Sequence, residues 1–208
     1  GRMVGQGGSM VEVGGESPRA GAEAVSVQQE LDRVLPVIER VSAEFQVPVS
    51  IDTSKPEVMV AAVEAGAGLI NDVNGLRAPG ALEAALRSGV PVCLMHMQGQ
   101  PRTMQQAPSY ADVVDDVFTF LQARIDACTQ AGLSLSRLLI DPGFGFGKTL
   151  AHNLSLLHHL DRFGQLGVPV LVGISRKSML GTITGRQTED RLAASLAAAV
   201  IAAERGAR

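Results

Sequence analysis

Leu138-Leu139-Ile140-Asp141-Pro142-Gly143-Phe144-Gly145-Phe146-Gly147-Lys148 is the stretch that decides the fold. Three aliphatic residues in a row read as a strand buried on both faces, the habit of parallel sheets covered by helices. The strand stops at a carboxylate, and three glycines then let the chain turn tightly. The glycine spacing is not that of a Walker phosphate loop.

The same phrase recurs on both sides. Residues 47–51 form a strand ending in Asp52, and residues 69–70 lead into Asn71-Asp72. Residues 90–95 arrive at His96, residues 168–172 reach Gly173, and an early short segment, 10–13, carries Glu12. Helical spacing fills the gaps at 27–45, 56–65, 79–87, 110–131, 152–163 and 188–203. In the first of these, Leu31, Val34, Leu35, Ile38, Val41 and Phe45 mark one face, and Pro36 is expected to interrupt or bend it. Thr53 or Ser54 is the expected cap of helix 56–65. Thr188 is the expected cap of the last helix, with Glu189 and Asp190 in its first turn.

Six strand–helix units with no linker between them indicate one α/β domain spanning residues 1–208. An open doubly wound sheet and a closed (β/α)8 barrel share this pattern. An open sheet concentrates function at its switch point, whereas a barrel gathers every strand end at one mouth. Nearly every unit here ends on a polar residue, which favours the TIM barrel. Six strands are two short of eight. The chain opens in what reads as a helix end at 1–8 and closes in a helix, so the first and last barrel strands are expected to be missing.

Composition removes other classes. The 208 residues are 46% hydrophobic and 19% charged, too apolar for a disordered tail. The net charge of -3 provides no overall field for nucleic acid or an anionic membrane. Trp is absent and there is one Tyr, so an aromatic nucleic-acid platform is not expected. No apolar run reaches spanning length and no secretory leader is visible. Cys93 and Cys128 are the only cysteines and read as free buried thiols, which suits a cytoplasmic setting. The histidines, His96, His152, His158 and His159, lack the spacing of a helix-borne zinc pair.

The polar strand ends are the candidate site. An ionised Asp52 or Asp141 accepts only, and so suits the paired donors of an amino-pyrimidine or guanidine-like edge. The plainer role for Asp52 is a cap or an ion pair with Lys55. Asn71 offers donor and acceptor to an amide-like ring edge. If the strand persists through Asn71 and Asp72, they point to opposite faces, one into the mouth and one toward helices or a turn. Met95 or Met97 can wall a flat ligand, Phe146 can cap one, and His96 can bond either ligand or neighbour. Ser175-Arg176-Lys177 places a hydroxyl and two cations beyond a strand end, a fair anion site. Lys177 can donate to a ring carbonyl or nitrogen, and Arg19 is a candidate clamp for a negative substrate group.

Taken together, Gly14-Gly15-Glu16-Ser17, Asp52-Thr53-Ser54-Lys55-Pro56, Asn71-Asp72, Met95-His96-Met97-Gln98-Gly99, the 141–148 stretch and Ser175-Arg176-Lys177-Ser178 resemble the dihydropteroate synthases. The resemblance implies a (β/α)8 barrel, usually a homodimer. Such an enzyme joins 7,8-dihydropterin pyrophosphate to 4-aminobenzoate, with Mg2+ bound and pyrophosphate lost, and sulfonamides mimic the aminobenzoate. It implies that Asp52, Asn71, Asp141 and Lys177 bind the pterin, that Val73, Met95, Phe146 and Gly173 surround it, and that Arg19, Ser175 and Arg176 contact aminobenzoate or the pyrophosphate region.

The sequence departs from that family at two places. Glu12 stands where an aspartate is usual, near the expected metal–pyrophosphate region. Pro18-Arg19-Ala20 stands for Thr-Arg-Pro, so an altered sulfonamide response is expected. With the end strands missing, residues 1–208 alone are expected to bind pterin weakly and turn over poorly. The alternatives are a pterin-binding methyltransferase domain and a non-catalytic pterin-binding or dimerising remnant.

Overall fold

The computed structural model describes residues 2–17, 21–101 and 103–208. Arg19, the expected clamp, and its neighbours Pro18 and Ala20 lie outside the described residues. The elements alternate. Helix α1 (Arg2–Gly5) precedes β1 (Val11–Gly14), followed by α2 (Val27–Glu44), β2 (Val49–Asp52), α3 (Pro56–Glu64), β3 (Leu69–Asp72) and α4 (Ala81–Ser88). The second half continues with β4 (Val92–Met95), α5 (Val113–Gln130), β5 (Leu138–Asp141), α6 (Leu150–His158), α7 (Ser178–Thr184) and α8 (Leu192–Glu204).

The five strands are parallel and lie in the order β1-β2-β3-β4-β5. Every crossover steps to the next neighbour in one direction. A doubly wound sheet would reverse, so the sequential order is that of a (β/α)8 barrel arc.

The expected sixth strand, 168–172, is shorter than the sequence suggests. Only Val170 forms bridges, to Ile140 on one side and Ala207 on the other. Its pairing is held by Ile140 N donating to Pro169 O at 3.0 Å and Leu171 N to Ile140 O at 2.8 Å. Pro169 has no N–H to extend the ladder. The chain also does not stop in a helix: after α8 it returns to the sheet, with Arg208 N donating to Val170 O at 2.9 Å.

Strand register sorts the side chains onto two faces. Val13, Ile51, Ile70, Val92 and Leu138 are successive partners, and so are Gly14, Asp52, Asn71, Cys93 and Leu139. Because side chains alternate along a strand, the first row faces the helices. It belongs to the main core with Val34 and Ile38 of α2, Met59 of α3, Ala84 of α4 and Leu121 of α5. Burying each large aliphatic side chain there contributes about 1.5–3 kcal/mol. The second row faces the barrel interior and carries the polar residues.

Local chemistry explains the element ends and corrects several expectations. Ser26 and Gln29 close a capping box on α2. Pro36 does not interrupt that helix, because it lies on the exposed face, as does Asp32, whose carbonyl it leaves unpaired and open to water. Neither Thr53 nor Ser54 caps α3. Lys55 is the cap residue, Thr53 Oγ1 accepts from Lys55 N at 3.2 Å, and Ser54 donates to Asp72 instead. Thr188, Glu189 and Asp190 form a separate 3-10 turn before α8 starts. Residues expected as one helix over 152–163 divide into α6 and a 3-10 segment, Leu160–Leu166. Helix α7 was not expected: with seven residues, it is too short to show a periodicity.

Candidate active site

The interior face brings the strand-end groups together. Asp52 pairs in register with Asn71, and Met95 with Asp141. Glu12, two residues before Gly14, shares their face, and its carboxylate accepts from Asn71 Nδ2 at 2.9 Å. That contact fixes the amide, since the opposite orientation would set Oδ1 against a carboxylate. Asn71 Oδ1 is left buried with no partner, a state that calls for an explanation.

Asp72 lies on the other face, as alternation requires. Its carboxylate accepts from Asn74 N at 2.8 Å, Leu76 N at 2.7 Å and the Ser54 hydroxyl. It is a fully buried turn-builder, and burial raises its pKa despite those bonds.

Electrostatics single out Asp52. Burial, then the neighbouring Glu12, Asp72 and Glu30 carboxylates, push it up to about 7, with Lys177 opposing. Asp141 is also raised by burial, against the Gly143 hydrogen bond and the cations Lys177 and Lys148. Lys177 is therefore the cation shared by both carboxylates. Its Nζ lies 4.3 Å from the centre of the Phe146 ring, a cation–π contact.

Asp141 Oδ1 accepts from Gly143 N at 2.7 Å. Its Oδ2 faces Gly173, where an added Cβ would stand 3.8 Å away. Phe146, Val73, Met95, Met97 and Met104 form an apolar cluster separate from the main core. Both expected methionines, Met95 and Met97, are in it. Acceptors set beside thioethers and a phenyl ring suit a flat heteroaromatic with donors on one edge.

Ser175 and Arg176 are placed differently from Lys177. Both are exposed, and Arg176 takes a left-handed backbone, φ 54°. Arg176 N donates to Ser195 Oγ at 2.9 Å and its carbonyl accepts from Arg191 Nη1 at 3.1 Å. The loop is thus tied to α8 through its backbone, leaving the Arg176 side chain at the surface. Among the described residues no three His, Cys, Asp or Glu side chains gather to hold a metal.

Two polar clusters escaped the sequence reading. The first joins Lys55 to Glu16 and Glu30, not to Asp52. Glu30 is 1% exposed on α2, and its Oε1 has no partner. Glu16, Glu30 and Asp52 border a cavity of about 190 Å³ with Ser17, Ser54 and Pro101. The legible signal was a carboxylate at position 30, one helical step before the buried Val34 and Ile38. The second cluster is Lys148 with His96. Lys148 is 3% exposed, and burial lowers its pKa to about 7. Burial, then the charges of Lys148 and Arg77, hold His96 down at about 3, so it is a neutral acceptor. His96 therefore serves its neighbours, Lys148 at 2.9 Å and the edge-on Phe120 ring at 4.9 Å.

The chain is similar to known proteins over its whole length. The profile of the pterin-binding enzymes matches residues 1–208. The dihydropteroate synthase of Escherichia coli K12 is 53% identical over 205 residues, covering 99% of this chain and 73% of that one. The crystal structure of Yersinia pestis dihydropteroate synthase with a sulfonamide drug superposes with a TM-score of 0.97 at 51% identity, covering 100% of this chain and 75% of that one. The Xanthomonas albilineans enzyme in complex with 7,8-dihydropteroate gives 0.90 at 53% identity, covering 99% and 73%. With its barrel arc, its interior row of Asp52, Asn71 and Asp141, and this likeness over its whole length, the chain belongs to the dihydropteroate synthase family of pterin-binding enzymes.

Proposed function

We propose that the chain condenses 7,8-dihydropterin pyrophosphate with 4-aminobenzoate, giving 7,8-dihydropteroate and pyrophosphate. The observation that carries this is the interior row itself: acceptors from β2, β3 and β5 share one face, with Lys177 and Phe146 beside them. Asp141 would accept from the amino-pyrimidine edge through the oxygen that Gly173 leaves uncovered. Asn71 would give its unpartnered Oδ1 to a ring N–H. Lys177 would donate to a ring carbonyl or nitrogen, and Val73, Met95 and Phe146 would sandwich the rings.

The reaction breaks the bond from the pterin methylene carbon to oxygen, and pyrophosphate departs with the electron pair. The aniline nitrogen then attacks the methylene and loses a proton. No protein nucleophile is needed. The carboxylates Asp52 and Asp141 stabilise positive charge that develops on the pterin, and the loops position the amine. Arg176, Ser175 and Arg19 are the proposed contacts for the aminobenzoate carboxylate or the pyrophosphate.

Mg2+ is usually held by one or two carboxylates plus substrate phosphates, without an all-protein cage. Glu12, exposed on the interior face, fits that pattern as the protein's share of such a site. When bound, the cation would neutralise charge on the departing pyrophosphate.

No helix among the described residues is long and apolar enough to cross a membrane. A cytoplasmic setting is part of the same proposal, supported by the buried free thiols Cys93 and Cys128. So is homodimerisation, supported by Leu192, Leu196, Val200 and Ile201, which α8 leaves exposed.

The test is pyrophosphate release from the pterin substrate. Dihydropteroate formation that accompanies the release and is inhibited by a sulfonamide in competition with 4-aminobenzoate supports the assignment. Methyl transfer from methyltetrahydrofolate, with no such release, overturns it.

A further inference from the structure

The loop over residues 141–148 carries Asp141 and Phe146, yet three of its residues are glycines with left-handed backbones. Such a sequence has little intrinsic rigidity. Many of its backbone polar groups are nevertheless engaged. Gly145 N donates to Asn153 Oδ1 at 2.8 Å, Gly145 O accepts from Gln105, and Gly147 O accepts from Tyr110 Oη at 2.8 Å.

Two further loop carbonyls and the end of β4 converge on one side chain. Lys148 Nζ donates to Gly143 O at 2.9 Å, Phe146 O at 3.1 Å and His96 O at 3.4 Å, and contacts His96 Nδ1 at 2.9 Å. The loop presses against the end of β4 closely enough that a Cβ on Gly143 would stand 1.9 Å from His96 O, and one on Gly147 2.5 Å from Gln98 O. A buried ammonium across that seam binds the two loops to each other.

The consequences reach the site along short paths. Gly143, whose carbonyl Lys148 holds, donates its own N–H to Asp141 Oδ1. The Phe146 carbonyl is held by the same ammonium, and the Phe146 ring sits under Lys177. We propose that Lys148 is a positioning residue: it fixes the glycine loop so that Asp141 keeps one oxygen for the pterin edge and Phe146 keeps its ring against Lys177. The inference rests on the pterin assignment above. Lys148 itself touches no substrate.

The test is calorimetric titration of the protein with 6-hydroxymethylpterin, beside Lys148→Met. Displacements of an ångström in a site commonly cost about 10- to 100-fold. The expected result is a folded Lys148→Met protein whose pterin Kd is raised in that range, with KM for the pterin substrate rising far more than KM for aminobenzoate. A folded variant with Kd within about twofold of the parent overturns the inference alone. Absence of pterin binding by the parent overturns the pterin assignment and this inference with it. If Lys148→Met does not fold, Lys148→Gln, which keeps a donor without a charge, is read by the same criterion. Failure of both to fold assigns Lys148 to the fold and also overturns the inference.

Discussion

Replacing Asp52 by Asn should stabilise the fold while weakening the site. Asp52 sits at about 7 when folded, against 3.8 as an isolated side chain, because it is buried beside Glu12, Asp72 and Glu30. The folded chain therefore holds this proton more tightly than the unfolded chain. Asp52 favours folding below pH 3.8, and that contribution falls away as pH rises through about 7. Above pH 7 the ionised carboxylate costs the folded state about 4 kcal/mol, and at pH 5 only about 1.5 kcal/mol. An asparagine amide needs new hydrogen bonds, at a cost of about 1 kcal/mol. Asp52→Asn should thus be about 2–3 kcal/mol more stable than the parent at pH 8 and nearly equal to it at pH 5. Urea unfolding at the two pH values measures this as a shift in midpoint at unchanged slope. A variant that gains nothing at pH 8, or gains the same at both, would show that Asp52 does not carry this proton in the folded chain.

Gly143→Ala should be among the most damaging single-methyl changes, because the new Cβ would meet His96 O at 1.9 Å on a backbone with φ 74°; a loss of several kcal/mol, read as a large fall in Tm, is expected. Lys55→Met strands Glu30, which is 1% exposed, and should cost about 3 kcal/mol in urea unfolding, with Lys55→Met plus Glu30→Leu recovering most of it. His96 is neutral down to about 3, so the unfolded chain alone takes up its proton as pH falls below 6.5. Relative to the parent, His96→Phe should therefore gain about 3 kcal/mol between pH 8 and pH 4; a difference that does not change with pH would contradict the assignment.

The sequence disclosed the strand ends because their chemistry breaks abruptly. Leu138 to Ile140 is wholly apolar and Asp141 is not, and the same break occurs at Asp52 and Asn71. Alternation placed Asn71 and Asp72 on opposite faces, and the register agrees. What the sequence concealed depends on contacts distant along the chain. Lys55 looked like a partner for Asp52 three residues away, yet its carboxylates come from 39 and 25 residues away. Nothing along the sequence marks Lys148 as buried, and its contacts with Gly143, Phe146 and His96 come from the packing of the glycine loop on the end of β4. The sixth strand was overestimated because apolar content signals burial, whereas a ladder also needs N–H groups, and Pro169 lacks one.

The interior row of Asp52, Asn71 and Asp141 is the proposed pterin site, and Asp141 is where substitution probes it most sharply. Titration with 6-hydroxymethylpterin can be followed by the ligand's own fluorescence, since the chain contains no Trp. Saturable binding by the parent is expected, with binding about 100-fold weaker in Asp141→Asn, because hydrogen bonds to a charged acceptor are lost. No saturable binding by the parent, or equal binding by the two proteins, would contradict the pterin assignment.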